Sequence, residues 1–214
     1  MMRIEAVELL MAYKEVFLYE ELSERLGIHS SMLCRYSQGL TIPSEYNTRK
    51  IINTLLSKDS VKEFLYRCLS KYDWNLTKVL SNHKILNVIS LYISNTILNN
   101  LAGSGLKLLI TLPGTSALVT SLTATKLGLP IALIPYSDIR SSGDIIEVRD
   151  EGFLRKGDYV AVISDILTTD NLNNITNFLR KYELILKCLI AVLLVDKSIE
   201  NYVDKITLFD YLIP

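Results

Sequence analysis

Apolar and polar positions change rhythm twice along the chain. Residues 1–57 read as short helices with tight connections, and residues 60–101 as longer ones, with helical periodicity in VKEFLYRCL and ILNVISLYISNTIL. From Leu106 onward the pattern becomes short, nearly continuous apolar runs: KLLITL (107–112), PIALIPY (130–136), DYVAVISD (158–165) and LILKCLIAVLLV (184–195). Segments 116–127 and 171–182 are the natural crossover helices between them. Such alternation predicts an α/β domain built on a parallel sheet covered on both faces. Gly103-Ser104-Gly105 punctuates the change of architecture. The expected organisation is an all-α module at 1–57, a helical linker at 58–83 and the α/β domain at 84–214.

Within the first module, YEELSERLGIHSSMLCRYSQGLTIPS (19–44) is the informative stretch. Leu22 and Leu26 share a helix face, and Gly27 follows where that helix must stop and turn through a positive φ. Ile28 then plugs the turn, Ser30 or Ser31 caps the next helix, Leu33 and Tyr36 form its apolar face, and Gly39 ends it. Small Ser23 marks the crossing. The run G-I-H-S-S-M-L-C-R-Y-S-Q-G resembles the Cro/repressor type of helix-turn-helix, and Pro43-Ser44 resembles the start of that family's next helix. The resemblance implies a second helix in the major groove of double-stranded DNA, with His29, Ser30, Ser31, Cys34 and Arg35 facing it. Arg35 suits a guanine edge or a phosphate. A small helical bundle used for dimerisation is the other reading of the same residues.

In the α/β domain, KGDYVAVISDILTTDNLNNITNFL (156–179) has a strand ending in an acid, then Thr-Thr, then a helix start. It resembles the loop that binds phosphoribosyl diphosphate (PRPP) in type I phosphoribosyltransferases. There, carboxylates accept the ribose hydroxyls, while Thr hydroxyls and helix N-terminal amides hold the 5′-phosphate. LLITLPGTSALVTSLTATKLGLPIALIPY resembles the family's first strand, diphosphate loop (Pro113, Gly114, Thr115, Ser116), helix and second strand, and a polar insertion at 137–158 stands where the family keeps a mobile catalytic loop. The implied ligand residues are therefore Pro113 to Ser116, Arg140, Asp165, Thr168, Thr169, Asp170 and Asn171.

The chain also departs from that family. Ser164 stands for the first acid of the pair, and Asp170, Asn171 and Leu172 stand for the two glycines and the final hydroxyl residue. A carboxylate at Asp170 repels a phosphate unless a cation or a basic group intervenes, and loss of the glycines restricts the backbone from wrapping an anion. Tyr136-Ser137-Asp138 stands where the orotate enzymes often carry Arg-Lys, with Arg140 slightly later. These changes fall on substrate groups and leave the core pattern intact, so the fold is expected and catalysis is not.

Composition refines this picture. With 23 basic and 23 acidic residues the chain is formally neutral, which excludes a globally basic nucleic-acid coat protein. Residues 1–58 hold seven of each sign, yet no acid occurs between Glu24 and Glu45, where Arg25 and Arg35 lie with Arg49 and Lys50 just beyond. Any DNA-binding charge is thus confined to one small face. Cys34, Cys68 and Cys188 lie far apart, with only His29 and His83 to join them, so neither a disulfide framework nor a zinc site is expected, and a reducing cytoplasm is. Cys188 reads as core, Trp74 as a packing anchor between linker helices, and His83 as a helix-start residue. The N-terminus carries acids and does not read as a signal peptide. Leu108–Thr125 is uncharged but broken by Pro113-Gly114 and rich in Thr, and 184–195 is short and contains Lys187, so both read as buried segments and no membrane partner is expected.

Together the two halves are similar to archaeal transcriptional regulators of the purine/pyrimidine phosphoribosyltransferase family. That resemblance implies a homodimer on a palindromic operator, sensing PRPP, a nucleotide or a sugar phosphate, with no cofactor required and Mg²⁺ entering only with a diphosphate ligand. The alternative is a working orotate- or purine-type phosphoribosyltransferase with an accessory DNA module. It would use Asp165 for ribose, Thr168 and Thr169 for phosphate, and Arg140 near the diphosphate. A third reading leaves the α/β domain for dimerisation alone.

Overall fold

The structure is a computed structural model describing residues 2–134, 154–202 and 206–213. The chain divides into two compact units, Met1–Tyr92 and Ile93–Pro214. The boundaries read from sequence, after residues 57 and 83, both fall inside the first unit.

The first unit is helical: α1 (Met2–Tyr13), α2 (Tyr19–Leu26), α3 (Ser30–Ser37), α4 (Glu45–Leu55), α5 (Lys58–Lys71) and α6 (Leu76–Ser81), followed by α7 (His83–Leu101), within which the division falls. Leu9, Leu22, Leu26, Leu33, Ile51 and Leu55 are fully buried around an aromatic stack in which the Tyr13 ring lies 4.5 Å from Phe64 and 5.5 Å from Phe17. The Tyr13 hydroxyl donates to the Leu55 carbonyl at 2.6 Å, and burial pushes its pKa well above the phenol range, so it remains a donor throughout. Side chains cap the starts of successive helices: Ser44 accepts from Asn47 N–H, Ser57 from Ser60 N–H, Asn75 from Lys78 N–H and Asn82 from Lys84 N–H. His83 opens α7, but Asn82 holds the cap.

Trp74 and Arg25 sit otherwise than the sequence predicts. Trp74 does not anchor packing: it is 58% exposed and meets Tyr66 of α5 edge-on at 5.1 Å. The chain leaves α5 through two consecutive left-handed residues, Asp73 (φ 54°) and Trp74 (φ 59°), where Trp74 N–H closes on the Leu69 carbonyl. Arg25 does not contribute to a free positive face. Its guanidinium lies over the Phe17 ring and pairs with Glu63 at 2.6 Å, while Arg67 pairs with Glu21 and Glu63 at 2.8 and 3.0 Å.

Glu15 accepts from Lys84 at 2.6 Å and lies 3.3 Å from Lys71, and the Lys84 hydrogen bond above all holds its carboxyl below the usual range. A carboxyl whose folded pKa is depressed contributes stability above its unfolded pKa and loses it as pH falls through the folded value. Glu15→Gln is therefore expected to destabilise the protein near neutrality by no more than about 1 kcal/mol after solvent screening. The difference should vanish in acid, as measured by urea midpoints across pH. A difference that persists below the carboxylate range would overturn this assignment.

The second unit contains β1 (Leu106–Thr111), α8 (Thr115–Leu127), β2 (Ile131–Leu133), β3 (Tyr159–Leu167), α9 (Thr169–Lys181), β4 (Ile185–Leu194), a short 3₁₀ helix (Lys197–Tyr202) and β5 (Leu208–Ile213). All strand pairs are parallel, in the order β2-β1-β3-β4-β5. One face presents Leu108, Ile110, Val160, Val162, Leu189 and Ala191 to Ile175, Phe178 and Leu179 of α9. The alternate residues Leu109, Ala161, Ile163, Cys188 and Ile190 are equally buried, so both faces are covered, as the unbroken apolar runs predict. Burial raises the Cys188 thiol pKa far above its ordinary value, as befits a core residue. The uncharged 108–125 stretch becomes β1 and most of α8, a helix buried on one face only, where the Thr120 and Thr123 hydroxyls donate to the carbonyls four residues back, while Leu118, Ser121 and Thr125 are exposed. Among the described residues, no helix is long and apolar enough to cross a membrane.

Candidate functional site

In the helical unit, α2 ends at Leu26 because Gly27 takes φ 52°, which reverses the chain without a Cβ penalty. Ile28 is 7% exposed and plugs the turn. The next helix starts at Ser30, one residue earlier than a serine cap allows, so the cap is His29: its Nδ1 accepts from Ser31 N–H and lies 2.9 Å from Ser31 Oγ. Leu33 and Tyr36 are buried. Asn47 of α4 donates to the Tyr36 hydroxyl at 3.0 Å, and the Tyr19 and Ser37 hydroxyls meet at 2.5 Å, fixing α3 against α4 and α2.

Of the residues expected to face DNA, His29, Ser31 and Arg35 are exposed, and Ser30 and Cys34 are half-buried. Arg35 makes no ion pair among the described residues, whereas Arg49 is spent on Glu45 at 2.6 Å. The positive charge near α3 therefore rests on Arg35 and on Lys50, whose ammonium would lie 3.0 Å from a Cβ on Gly27. Lys50 thus sits where α2 ends, where a cation is favoured.

In the α/β unit, β1 leads to β2 on one side while its other neighbour is β3, so the strand order reverses between β1 and β3. Ligands of open parallel sheets bind at the carboxyl ends of strands flanking such a point. Both ligand segments expected from sequence lie there. After β1, Pro113 is half-buried and Gly114 adopts φ 94°, ψ −144°, a backbone essentially restricted to glycine, before α8 begins at Thr115. Ser116 is fully buried.

Asp165, near the end of β3, joins the two segments. Its carboxylate accepts from the Thr115 hydroxyl, from the Ser116 hydroxyl at 2.5 Å and from Ile166 N–H at 2.8 Å, while Asp165 N–H donates to Ser116 Oγ at 2.9 Å. The pair of hydroxyls on one carboxylate is the pattern a vicinal diol would offer. Ser164, which stands for the absent acid, is fully buried and donates to the Ile166 carbonyl at 2.7 Å. Thr168 caps α9 by accepting from Asn171 N–H, and Asn171 Nδ2 donates to the Ile166 carbonyl. Thr169 is exposed and donates to Asp196 at 2.8 Å, and Asp170 is exposed in the first helical turn. Arg140 lies outside the described residues, as does most of the 137–158 insertion. Asp196 went unrecognised, although it ends the run LILKCLIAVLLV as Asp165 ends VAVIS. Among the described residues no three His, Cys, Asp or Glu side chains gather as a metal site.

No protein-family model and no curated protein sequence matches the chain. Solved structures do. Adenine phosphoribosyltransferase from Leishmania tarentolae matches with a TM-score of 0.51 at 15% identity, over 65% of this chain and 74% of that one. The Trypanosoma brucei enzyme, solved with AMP, pyrophosphate and ribose-5-phosphate, matches with 0.51 at 14%, over 65% and 68%. The Saccharomyces cerevisiae enzyme matches with 0.50 at 12%, over 62% and 81%. At such identities the likeness shows the fold: a phosphoribosyltransferase-like parallel sheet flanked by helices.

Proposed function

We propose that the chain is a homodimeric DNA-binding transcriptional regulator whose phosphoribosyltransferase-like domain senses a small phosphorylated ribose compound instead of turning it over. The observation that carries this is Asp165 at the β1/β3 crevice, alone where its family resemblance calls for two acids, with buried Ser164 beside it. A single carboxylate suits recognition of a ribose diol, and the helix start at α9 suits a 5′-phosphate once a cation or a basic group offsets Asp170. PRPP, a nucleoside monophosphate such as AMP, and ribose-5-phosphate are the compounds to test. No resident cofactor is needed, and Mg²⁺ enters only with a diphosphate. A turnover assay with PRPP and a panel of bases tests the proposal: base-dependent diphosphate release at an ordinary enzymatic rate would overturn it in favour of an active phosphoribosyltransferase.

The DNA half rests on the α2–Gly27–α3 geometry and on exposed Arg35, which makes no ion pair among the described residues. Paired modules require a palindromic operator with half-sites about 34 Å apart, or a multiple of it. The ligand's effect on operator affinity equals its difference in affinity between the two DNA-binding states. Arg35→Ala is expected to weaken binding to a duplex selected from a random pool by about tenfold or more, as loss of a base contact worth 1–3 kcal/mol would. Binding in both proteins should fall steeply with salt. Fluorescence anisotropy across a salt series checks this, and equal affinity of the two proteins at every salt would remove Arg35 from the interface.

A further inference from the structure

Asp165 offers the β1/β3 crevice less than a bare carboxylate does. A carboxylate has about four acceptor positions, two on each oxygen. Among the described residues three donors already occupy it. The Ser116 hydroxyl at 2.5 Å and Ile166 N–H at 2.8 Å both sit on Oδ1, and the Thr115 hydroxyl sits on Oδ2. That leaves about one position, on Oδ2. A ribose diol that binds through both hydroxyls needs two, so one resident donor has to leave.

The three donors differ in how readily they let go. Ile166 N–H belongs to β3 itself. Ser116 is fully buried, and its oxygen also receives Asp165 N–H at 2.9 Å, which ties it to the strand from both sides. Thr115 is half-buried, opens α8 and follows Gly114, which is exposed and where an added Cβ would meet nothing within 4 Å. Rotation about its Cα–Cβ bond turns the hydroxyl away from Asp165 without moving the helix. We propose that Thr115 is a built-in competitor for Asp165, which sets how tightly the crevice holds a vicinal diol. This rests on the reading of the crevice as a ribose site. The first ligand hydroxyl takes the open position on Oδ2. The second takes the place of Thr115, so it exchanges one hydrogen bond for another and adds little affinity. A 2-deoxyribose ligand, with one hydroxyl where ribose has the pair, leaves Thr115 in place. The parent therefore holds the two sugars with similar affinity, and the Thr115 hydroxyl is what cancels the advantage of the diol.

The test is calorimetric titration of the full chain and of Thr115→Val with ribose-5-phosphate and with 2-deoxyribose-5-phosphate. Thr115→Val keeps the branched shape and removes the competing hydroxyl. It should bind ribose-5-phosphate about tenfold more tightly, as release of a hydrogen bond to a charged group implies. Its affinity for 2-deoxyribose-5-phosphate should match the parent's. A loosened or repacked loop would move both ligands together, so the split between them isolates the competition. Thr115→Ala, which also lacks the hydroxyl, should show the same split. Unchanged affinity of both variants for ribose-5-phosphate, weaker binding in them, or a gain shared by both sugars would each overturn the competitor while leaving the ribose site standing. Absence of binding to parent and variants alike overturns the ribose site itself, and the competitor with it.

Discussion

Asp165→Ala is expected to abolish binding of a phosphorylated ribose ligand and to destabilise the α/β unit as well. The carboxylate is the acceptor for Thr115 and Ser116, and Ser116 is fully buried. Without it, at least one buried hydroxyl loses its partner, at about 1–3 kcal/mol. The ligand effect is of similar size but opposite in origin. A ligand at 100 times its dissociation constant raises stability by about 2.7 kcal/mol, and the variant should show none of that increment. Thermal unfolding with and without ribose-5-phosphate or AMP separates the two, because the first loss appears without ligand. Asp165→Asn keeps one acceptor oxygen and the side-chain shape, so it should recover much of the intrinsic stability while still binding poorly. Retention of the full ligand-induced shift in Asp165→Ala would remove the carboxylate from the site.

The helical unit has its own point of greatest sensitivity in Phe64→Ala. Phe64 is fully buried with its ring 4.5 Å from Tyr13, which in turn stacks on Phe17 under the guanidiniums of Arg25 and Arg67. Truncation removes the ring and leaves a cavity, together costing about 3–5 kcal/mol. Domains are stable by only about 5–15 kcal/mol in total, so much of the helical unit's margin is lost. The helical unit should unfold at temperatures where that of the parent stays folded. Tyr66→Ala on the same helix is the matched control, since Tyr66 is 53% exposed and surface changes are usually within about 0.5 kcal/mol. Urea denaturation of both variants followed by circular dichroism checks this, and similar losses in the two would show that the stack does not dominate the core.

The sheet was legible where burial is two-sided. VAVIS and LIAVLL are apolar at every position because both faces are covered, and that is visible in one dimension. β5 was not: LFDYLI is short, lies at the sheet edge and carries Asp210 in its middle, so neither alternation nor an unbroken run marks it. The turn between α2 and α3 was legible through Gly27, Ile28, Leu33 and Tyr36, whose roles are local. Arg25 was misread because its partner, Glu63, lies 38 positions away on a different helix. The same limit hid the centre of the β1/β3 crevice. Sequence marked Asp165 and the 113–116 loop as separate ligand segments, but their direct contact spans about 50 positions and exists only because β3 lies beside β1.

Ser164 limits what the strand can accept at its position. Its side chain is fully enclosed and its hydroxyl is committed to the Ile166 carbonyl. An acid placed there would enter without water and directly beside Asp165, where desolvation and like-charge repulsion both oppose ionisation. Ser164→Asp is therefore expected to cost stability before it alters any chemistry at the crevice. The closed packing around position 164 sets a threshold: a second carboxylate beside Asp165 becomes tolerable only where the neighbouring side chains first give way to water.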